Sequence, residues 1–244
     1  MKSIKNFRTV LLLTGLLFLG ISLSCGSSSD TPKLPEESIL DQRNAFWADW
    51  KKKCFPNDDW NTSTFNTHGK NYIDFKNNEP TTWQQMRDVY TDTSSANKYL
   101  PGVIESGSTY PVLMYLNAGE KLYKFVPSGK DIQSPSPYYV TEEELKSILA
   151  IPADIEQRLG LPLSSVSGEY WIYTITSTRD SNIVFNSNVA STTQYANATP
   201  SIIYKTPGGA TQTLVIDNGD GLSWKKATIP ELKYIPSSLP KIEK

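Results

Sequence analysis

Pro111–Val126 reads PVLMYLNAGEKLYKFV, two runs rich in Val, Leu, Tyr and Phe on either side of the polar Asn117-Ala118-Gly119-Glu120. Short aromatic and β-branched runs bounded by turn residues are strand grammar, and the spacing suggests a hairpin or a tight turn between Pro111–Leu116 and Lys121–Val126. The same grammar returns at Glu169–Thr176, Asn182–Phe185, Ser201–Lys205, Thr211–Ile216 and Leu222–Lys225. Asp217-Asn218-Gly219-Asp220-Gly221 is the expected hairpin turn between the last two. Thr141–Ile151 interrupts the strands as a capped helix, with Thr141 and Glu144 at capping-box spacing. A second helical turn, Ala153–Leu159, ends at Gly160 with Pro162 behind it.

Upstream the periodicity is helical. Ile39, Leu40, Phe46, Trp47, Trp50 and Cys54 recur at spacings of three and four from Ser38 until Pro56. Asn57–Pro80, rich in Asn, Asp and Thr, is expected to be mostly irregular. Thr82–Tyr90 predicts a short helix, and Thr91–Asn97 a polar break. The class is therefore α+β, with a helical and irregular part over 38–97 and a strand-rich, mainly antiparallel part over 98–244. No repeat period signals a solenoid or propeller.

At the start of the chain, Lys2, Lys5 and Arg8 precede the apolar run Val10–Leu23, which Thr14, Gly15, Gly20 and Ser22 interrupt. A membrane span needs about 20 apolar residues, so the run has the form of a secretory signal. Ser24-Cys25-Gly26 resembles the lipobox of bacterial lipoproteins, with Ser22 where an aliphatic residue is usual. That resemblance implies cleavage of 1–24, acylation of Cys25 and export to a lipid anchor at the outer membrane. Gly26–Glu37 is polar and aperiodic, the composition of a tether, so 25–37 form the anchor and its linker. Losing 1–24 removes three of the 24 basic residues and none of the 25 acidic ones, moving the net charge below −1. Neither a nucleic-acid footprint nor a polybasic membrane patch fits that balance. With Cys25 acylated, Cys54 is the remaining thiol, which excludes an internal disulfide; its place at the end of an amphipathic stretch predicts burial.

Several chemistries are excluded by what the chain lacks. His68 is the one histidine, so a two-histidine metal site cannot form within the chain, and no nucleophile-elbow motif accompanies it. His68 is expected in a solvated loop. Asp217–Gly221 fails as a calcium loop because Gly219 and Gly221 occupy ligand positions. Glu142, Glu143 and Glu144 are acids in a helix's first turn, where they complement its dipole. Trp47, Trp50, Trp60 and Trp83 would serve a glycan platform only if exposed; helical spacing of the first two favours the core.

Four segments together resemble the NAD-hydrolysing domain of the tuberculosis necrotizing toxin family. They are Gly119-Glu120-Lys121-Leu122-Tyr123-Lys124-Phe125, then Pro152–Pro162 with Glu156-Gln157-Arg158, then Tyr170–Thr176, then Pro207-Gly208-Gly209-Ala210-Thr211-Gln212. Residues 110–216 carry the resemblance, which implies an ADP-ribosyltransferase-like fold. It also implies NAD as substrate with no separate cofactor, and Lys124 and Gln212 as the central residues. Lys124 stands where that family has arginine, a point charge in place of a two-pronged fork. Tyr138 and Tyr139 are the candidates for stacking on a base, and Arg158 for support.

The chemistry suits these residue types. Cleaving nicotinamide from NAD passes through an oxocarbenium-like cation, and the leaving group is already cationic and departs neutral, so no general acid is required. Glutamine cannot titrate, but its amide can position a water or a ribose hydroxyl. Strand alternation puts Gln212 on the face of Leu214 and Ile216, at its polar end, and Lys124 on the face of Leu122 and Val126. The expected partners are NAD and, through the anchor, the membrane; no protein partner is specified. The rival reading is a non-catalytic envelope lipoprotein that uses the fold for binding or assembly.

Overall fold

Three-to-four spacing of apolar residues gives the first helix, α1 (Pro35–Cys54), with Lys51, Lys52 and Lys53 in its last turn where the helix dipole favours cations. A computed structural model of the chain describes residues 35–58, 63–90, 92–132, 136–151, 155–195 and 202–242. These lie in one unit, Lys33–Lys244. The signal, Cys25 and most of the tether lie outside the described residues. Trp47 is buried, with half-buried Phe46, Trp50 and Cys54 beside it, against Leu163, Val166 and Tyr204. A burial of this kind rules out Trp47 as part of an exposed platform.

The segment expected to be irregular carries two elements, β1 (Thr64–Thr67) and α2 (Tyr72–Asn78). Asn71 caps α2 by accepting from the backbone of Ile73 at 2.8 Å and Asp74 at 3.1 Å. Pro80 opens α3 (Pro80–Asp88), the position a proline tolerates best. The expected polar break is the start of α4 (Thr93–Glu105), which Asp92 caps through Ser95 N–H at 2.7 Å. This helix runs through residues 97 and 98 without interruption. Pro101 lies inside it, and burial of Ala96, Leu100, Val103 and Ile104 holds it together against that cost. Phe75 and Met86 of α2 and α3 join Leu100 and Ile104 on Phe185, Leu214 and Ile216, so the N-terminal helices share a core with the strands.

The strands β2 (Val112–Leu116) and β3 (Lys121–Pro127) do not form a hairpin. β2 pairs with β6 (Asn182–Asn188), and β3 pairs with β5 (Tyr170–Ser177) in another sheet. The intervening turn is real, with Gly119 at φ +88° and Glu120 N–H on Asn117 O at 3.2 Å. Its outer bonds, however, go sideways: Gly119 N–H to Ser177 O at 2.8 Å, and Ala118 N–H to the Asp180 carboxylate at 2.9 Å. The physical reason is β3 itself. Leu122 and Val126 pack into one core cluster while Tyr123 and Phe125 pack into another, so this strand needs cover on both faces. β5 matches it on both, with Ile175 opposite Leu122 in the first cluster and Ile172 opposite Phe125 in the second, whereas β2 leaves Val112 and Tyr115 exposed.

One four-stranded sheet runs β2-β6-β9-β4, with β4 at Tyr138–Tyr139 and β9 at Thr211–Leu214. In the other, β3 lies along β5, which also pairs with β10 (Trp224–Lys226) and β11 (Leu232–Tyr234). Asp217–Gly221 therefore leads from one sheet to the other and is not a hairpin turn. The sheets touch at a bridge between Tyr123 and Val140. A third sheet, order β1-β7-β8, uses β7 (Thr192–Tyr195) and β8 (Ile202–Thr206). Every pairing among the described strands is antiparallel. The α+β class holds.

The capped helix forms as α5 (Glu142–Ala150), Thr141 accepting from Glu144 N–H at 3.3 Å. The expected second turn is α6 (Ile155–Arg158). Residues 152–154, at its expected start, lie outside the described residues. Among the described residues no helix is long and apolar enough to cross a membrane.

Candidate functional site

Lys124, Tyr138, Tyr139 and Gln212 line one cavity of about 350 Å³, between the splayed sheets and closed by residues of β1 and of the loop after α6. Its size lies within the range of small-molecule pockets. Each wall has a separate origin in the fold.

Gln212 is positioned by the glycine turn before it. Gly208 and Gly209 sit at φ +74° and +100°, where side chains are disfavoured. Gly208 N–H donates to Gln157 O at 2.9 Å and Ala210 N–H to Arg158 O at 3.1 Å, so the turn caps the end of α6. Two of the segments singled out in the sequence thus meet. From that turn β9 carries Leu214 into the core while Gln212 remains at the cavity wall, 4 % exposed. Its amide nitrogen donates to Ser106 Oγ and Ser187 Oγ, each at 3.0 Å. Both N–H groups are thereby used, which fixes the amide's orientation and leaves its carbonyl as its one remaining acceptor.

Lys124 is buried, and its ammonium donates to Ser136 O at 3.0 Å and lies 5.2 Å from the centre of the Tyr139 ring. Burial, helped by nearby Lys226 and opposed by Asp220, brings its pKa from 10.5 to about 8. The sign follows directly. Below pH 8 the folded state carries the full penalty of a buried charge, and between pH 8 and 10.5 it sheds the proton the unfolded chain keeps, so stability rises with pH there. Lys124→Met is expected to raise the melting temperature at pH 7, with the gain shrinking above pH 8; melting curves at pH 7 and 9.5 test this, and an equal shift at both would contradict it.

Tyr139 donates its hydroxyl to Asn218 O at 3.2 Å, and burial pushes its pKa up. It is a wall of the site held neutral. Tyr138 presents 37 % of its surface, with Ser106 beside its hydroxyl, which suits a movable stacking partner. Lys130 adds a second cation to the same lining, at the end where the cavity meets Val126 and Pro127.

Arg158 does not join them. Its guanidinium binds Glu144 at 2.7 Å and Ser147 O at 2.9 Å, tying α6 to α5. Arg158 is not among the residues lining the cavity, so the structure does not bring it together with Lys124 and Gln212. Glu144 makes this pair in place of the return half of the capping box.

Sequence reasoning missed Ser106 and Ser187, the partners of Gln212. Ser106 caps the C-terminus of a helix that the proline disguised, and Ser187 faces Gln212 only through the β6–β9 register. Phe65 and Thr67 enter from the unforeseen β1. His68 is exposed, as expected, and pairs with the Thr193 hydroxyl at 2.8 Å. No cluster of metal-ligating side chains occurs among the described residues.

No family model and no curated protein matches the chain. Among solved structures it is similar to Rhs1-CT, solved in complex with its cognate immunity protein RhsI1, at 18% identity and a TM-score of 0.34. That match covers 52% of this chain and 87% of the other. It is also similar to Tse6, solved in complex with Tsi6, at 16% identity and a TM-score of 0.33, over 64% of this chain and 97% of the other.

Proposed function

We propose that the chain is an NAD glycohydrolase-like protein on an ADP-ribosyltransferase-like fold, exported and held at the outer membrane through acylated Cys25. One observation carries the reading: the glutamine and lysine singled out by the sequence face the same cavity, with two tyrosines between them. In the reaction the nicotinamide–ribose bond breaks and its electron pair leaves with nicotinamide. Water oxygen then bonds to the ribosyl carbon, and the water's proton goes to solvent. The Gln212 carbonyl accepts from that water or from a ribose hydroxyl, and Lys124 and Lys130 supply positive charge for the pyrophosphate. Tyr138 stacks on the ring. None of these residues is asked to act as an acid, because nicotinamide departs neutral.

The test is nicotinamide release from NAD by the purified protein. Gln212→Ala is expected to lower the rate about 100-fold, the scale of losing one positioning contact. Wild type and variant both at background would end the enzyme reading. The second reading, a protein that binds a nucleotide without cleaving it, has one observation in its favour: the Lys124 ammonium is already engaged by Ser136 O and the Tyr139 ring. It predicts saturable NAD binding with no nicotinamide released.

A further inference from the structure

Beside the cavity lies a second and larger lobe of about 850 Å³, and the two share Phe65, Thr67, Ser106, Ser136 and Tyr138 in their walls. One wall of the second lobe is the C-terminal half of α4 and the opposite parts come from β1 and from residues 136–138. Tyr99, Gly102, Val103 and Ser106 form one stripe of α4, at i, i+3, i+4 and i+7, and all four line it. Gly102 is a mid-helix glycine with no backbone requirement. A Cβ built on it meets nothing within 4 Å, so its missing side chain leaves the lobe open. Across the turn after α3, Tyr90 stacks on Tyr99, ring centres 6.3 Å apart and planes 18° from parallel.

Tyr99 is 50% exposed, so part of its ring is open to a ligand. Lys98 holds its ammonium 5.1 Å from the Tyr99 ring. Burial pushes the Tyr90 hydroxyl up to about 12, so it stays protonated beside Tyr99. Tyr90 and Tyr99 line the second lobe, Tyr138 lines both lobes, and Tyr139 lines the first, with Lys124 5.2 Å from its ring centre. Asn66 and Asn218 add donors and acceptors to the second lobe's lining, and Glu105 adds its carboxylate.

We propose that this second lobe is a nucleobase subsite with Tyr99, backed by Tyr90, as its stacking platform, so that the chain selects a dinucleotide over a mononucleotide. Stacking on an aromatic face is tolerant of base identity, and amide groups at the rim read the base edge. The choice of ligand rests on the glycohydrolase reading; the subsite itself does not. It gives α4 a task, supplying one wall of the cleft opposite β1.

The test titrates the purified full chain with AMP and, separately, with nicotinamide mononucleotide. AMP is expected to bind, and Tyr99→Ala to weaken it about tenfold while changing nicotinamide mononucleotide less than twofold. Tyr99→Trp keeps AMP affinity. Gly102→Leu fills the lobe from a helix position that favours leucine, and it should weaken AMP binding at least as much without affecting the mononucleotide. With NAD, Tyr99→Ala should raise KM for nicotinamide release and leave kcat unchanged. Absent AMP binding, or AMP affinity unmoved by both substitutions, overturns the subsite. Tyr99-dependent AMP binding with no nicotinamide release upholds the subsite while removing the glycohydrolase reading.

Discussion

Arg43→Met is expected to cost about 3–5 kcal/mol of stability, the usual scale for removing one partner of a buried ion pair. Arg43 is fully buried. Its guanidinium donates to Gly168 O at 3.1 Å, Ser167 O at 3.1 Å and Ser238 O at 2.7 Å, and pairs with Glu156. The Tyr170 hydroxyl donates to the same carboxylate oxygen at 3.0 Å and accepts from Ser167 N–H at 3.1 Å. Methionine fills much of the space but leaves those carbonyls without a donor and Glu156 without a counter-charge. Burial already pushes the Glu156 carboxyl up, and Arg43 pulls against it. Without that pull the folded variant holds a proton which the unfolded chain releases above the ordinary carboxylate range. Its deficit should therefore grow as pH rises from 4.5 to 7. Thermal melts at both values read this out, with a drop of about 10 °C or more expected at pH 7. Arg43→Met with Glu156→Leu should recover much of the loss, since an apolar pair asks for no partner. A single variant melting within 2 °C of wild type would contradict the role given to the pair.

The second large effect belongs to Gly208. An ideal Cβ there would lie 2.5 Å from Val189 O and 2.6 Å from Ala190 O, on a backbone at φ +74°. Backbone atoms cannot swing aside as a side chain can. Gly208→Ala combines a collision with left-handed strain and is expected to cost about 3–4 kcal/mol. Gly209, at φ +100° with open space around it, carries the strain alone, about 1–2 kcal/mol on substitution to alanine. The contrast between the adjacent alanine variants in denaturant unfolding is the measurement, and equal costs would refute this account. Because the turn caps α6 and begins β9, Gly208→Ala should also disturb Gln212 and depress nicotinamide release more than Gly209→Ala does.

What could be read in the chain was whatever local chemistry determines. α1 and α5 announce themselves by periodicity and by the Thr141 cap, and β3 and β5 by their aromatic and branched residues. α4 does not, because Pro101 and Gly102 argue against a helix that packing on Phe185 and Leu214 enforces. Pairing was the least legible. Asn117–Glu120 has the composition of a hairpin turn and makes a turn, yet where the next strand goes is set by β3's need for two covered faces. At the site, alternation placed Gln212 and Lys124 on the faces they occupy. Arg158 stands apart because its partner Glu144 lies on another helix, and nothing in a single sequence marks that pair. Ser106 is invisible for a plainer reason: a serine has no signature until the helix that ends on it is known.

The joint between α1 and the C-terminal tail also fixes an order of assembly. Arg43 reaches Ser238 across 195 positions of chain, and Gln212 reaches Ser106 across 106. Contacts this remote demand loop closure before they repay it, which places the protein among slow folders rather than fast ones. A chain emerging from its amino end cannot build the cleft piecemeal, since the walls at Phe65, Ser106 and Lys124 wait for β9. Docking of α1 likewise waits for Leu163, Val166 and Tyr204, on which Trp47 packs. The bond from Arg43 to Ser238 O is then a late stitch on a helix already seated, so the two ends of this unit are joined last.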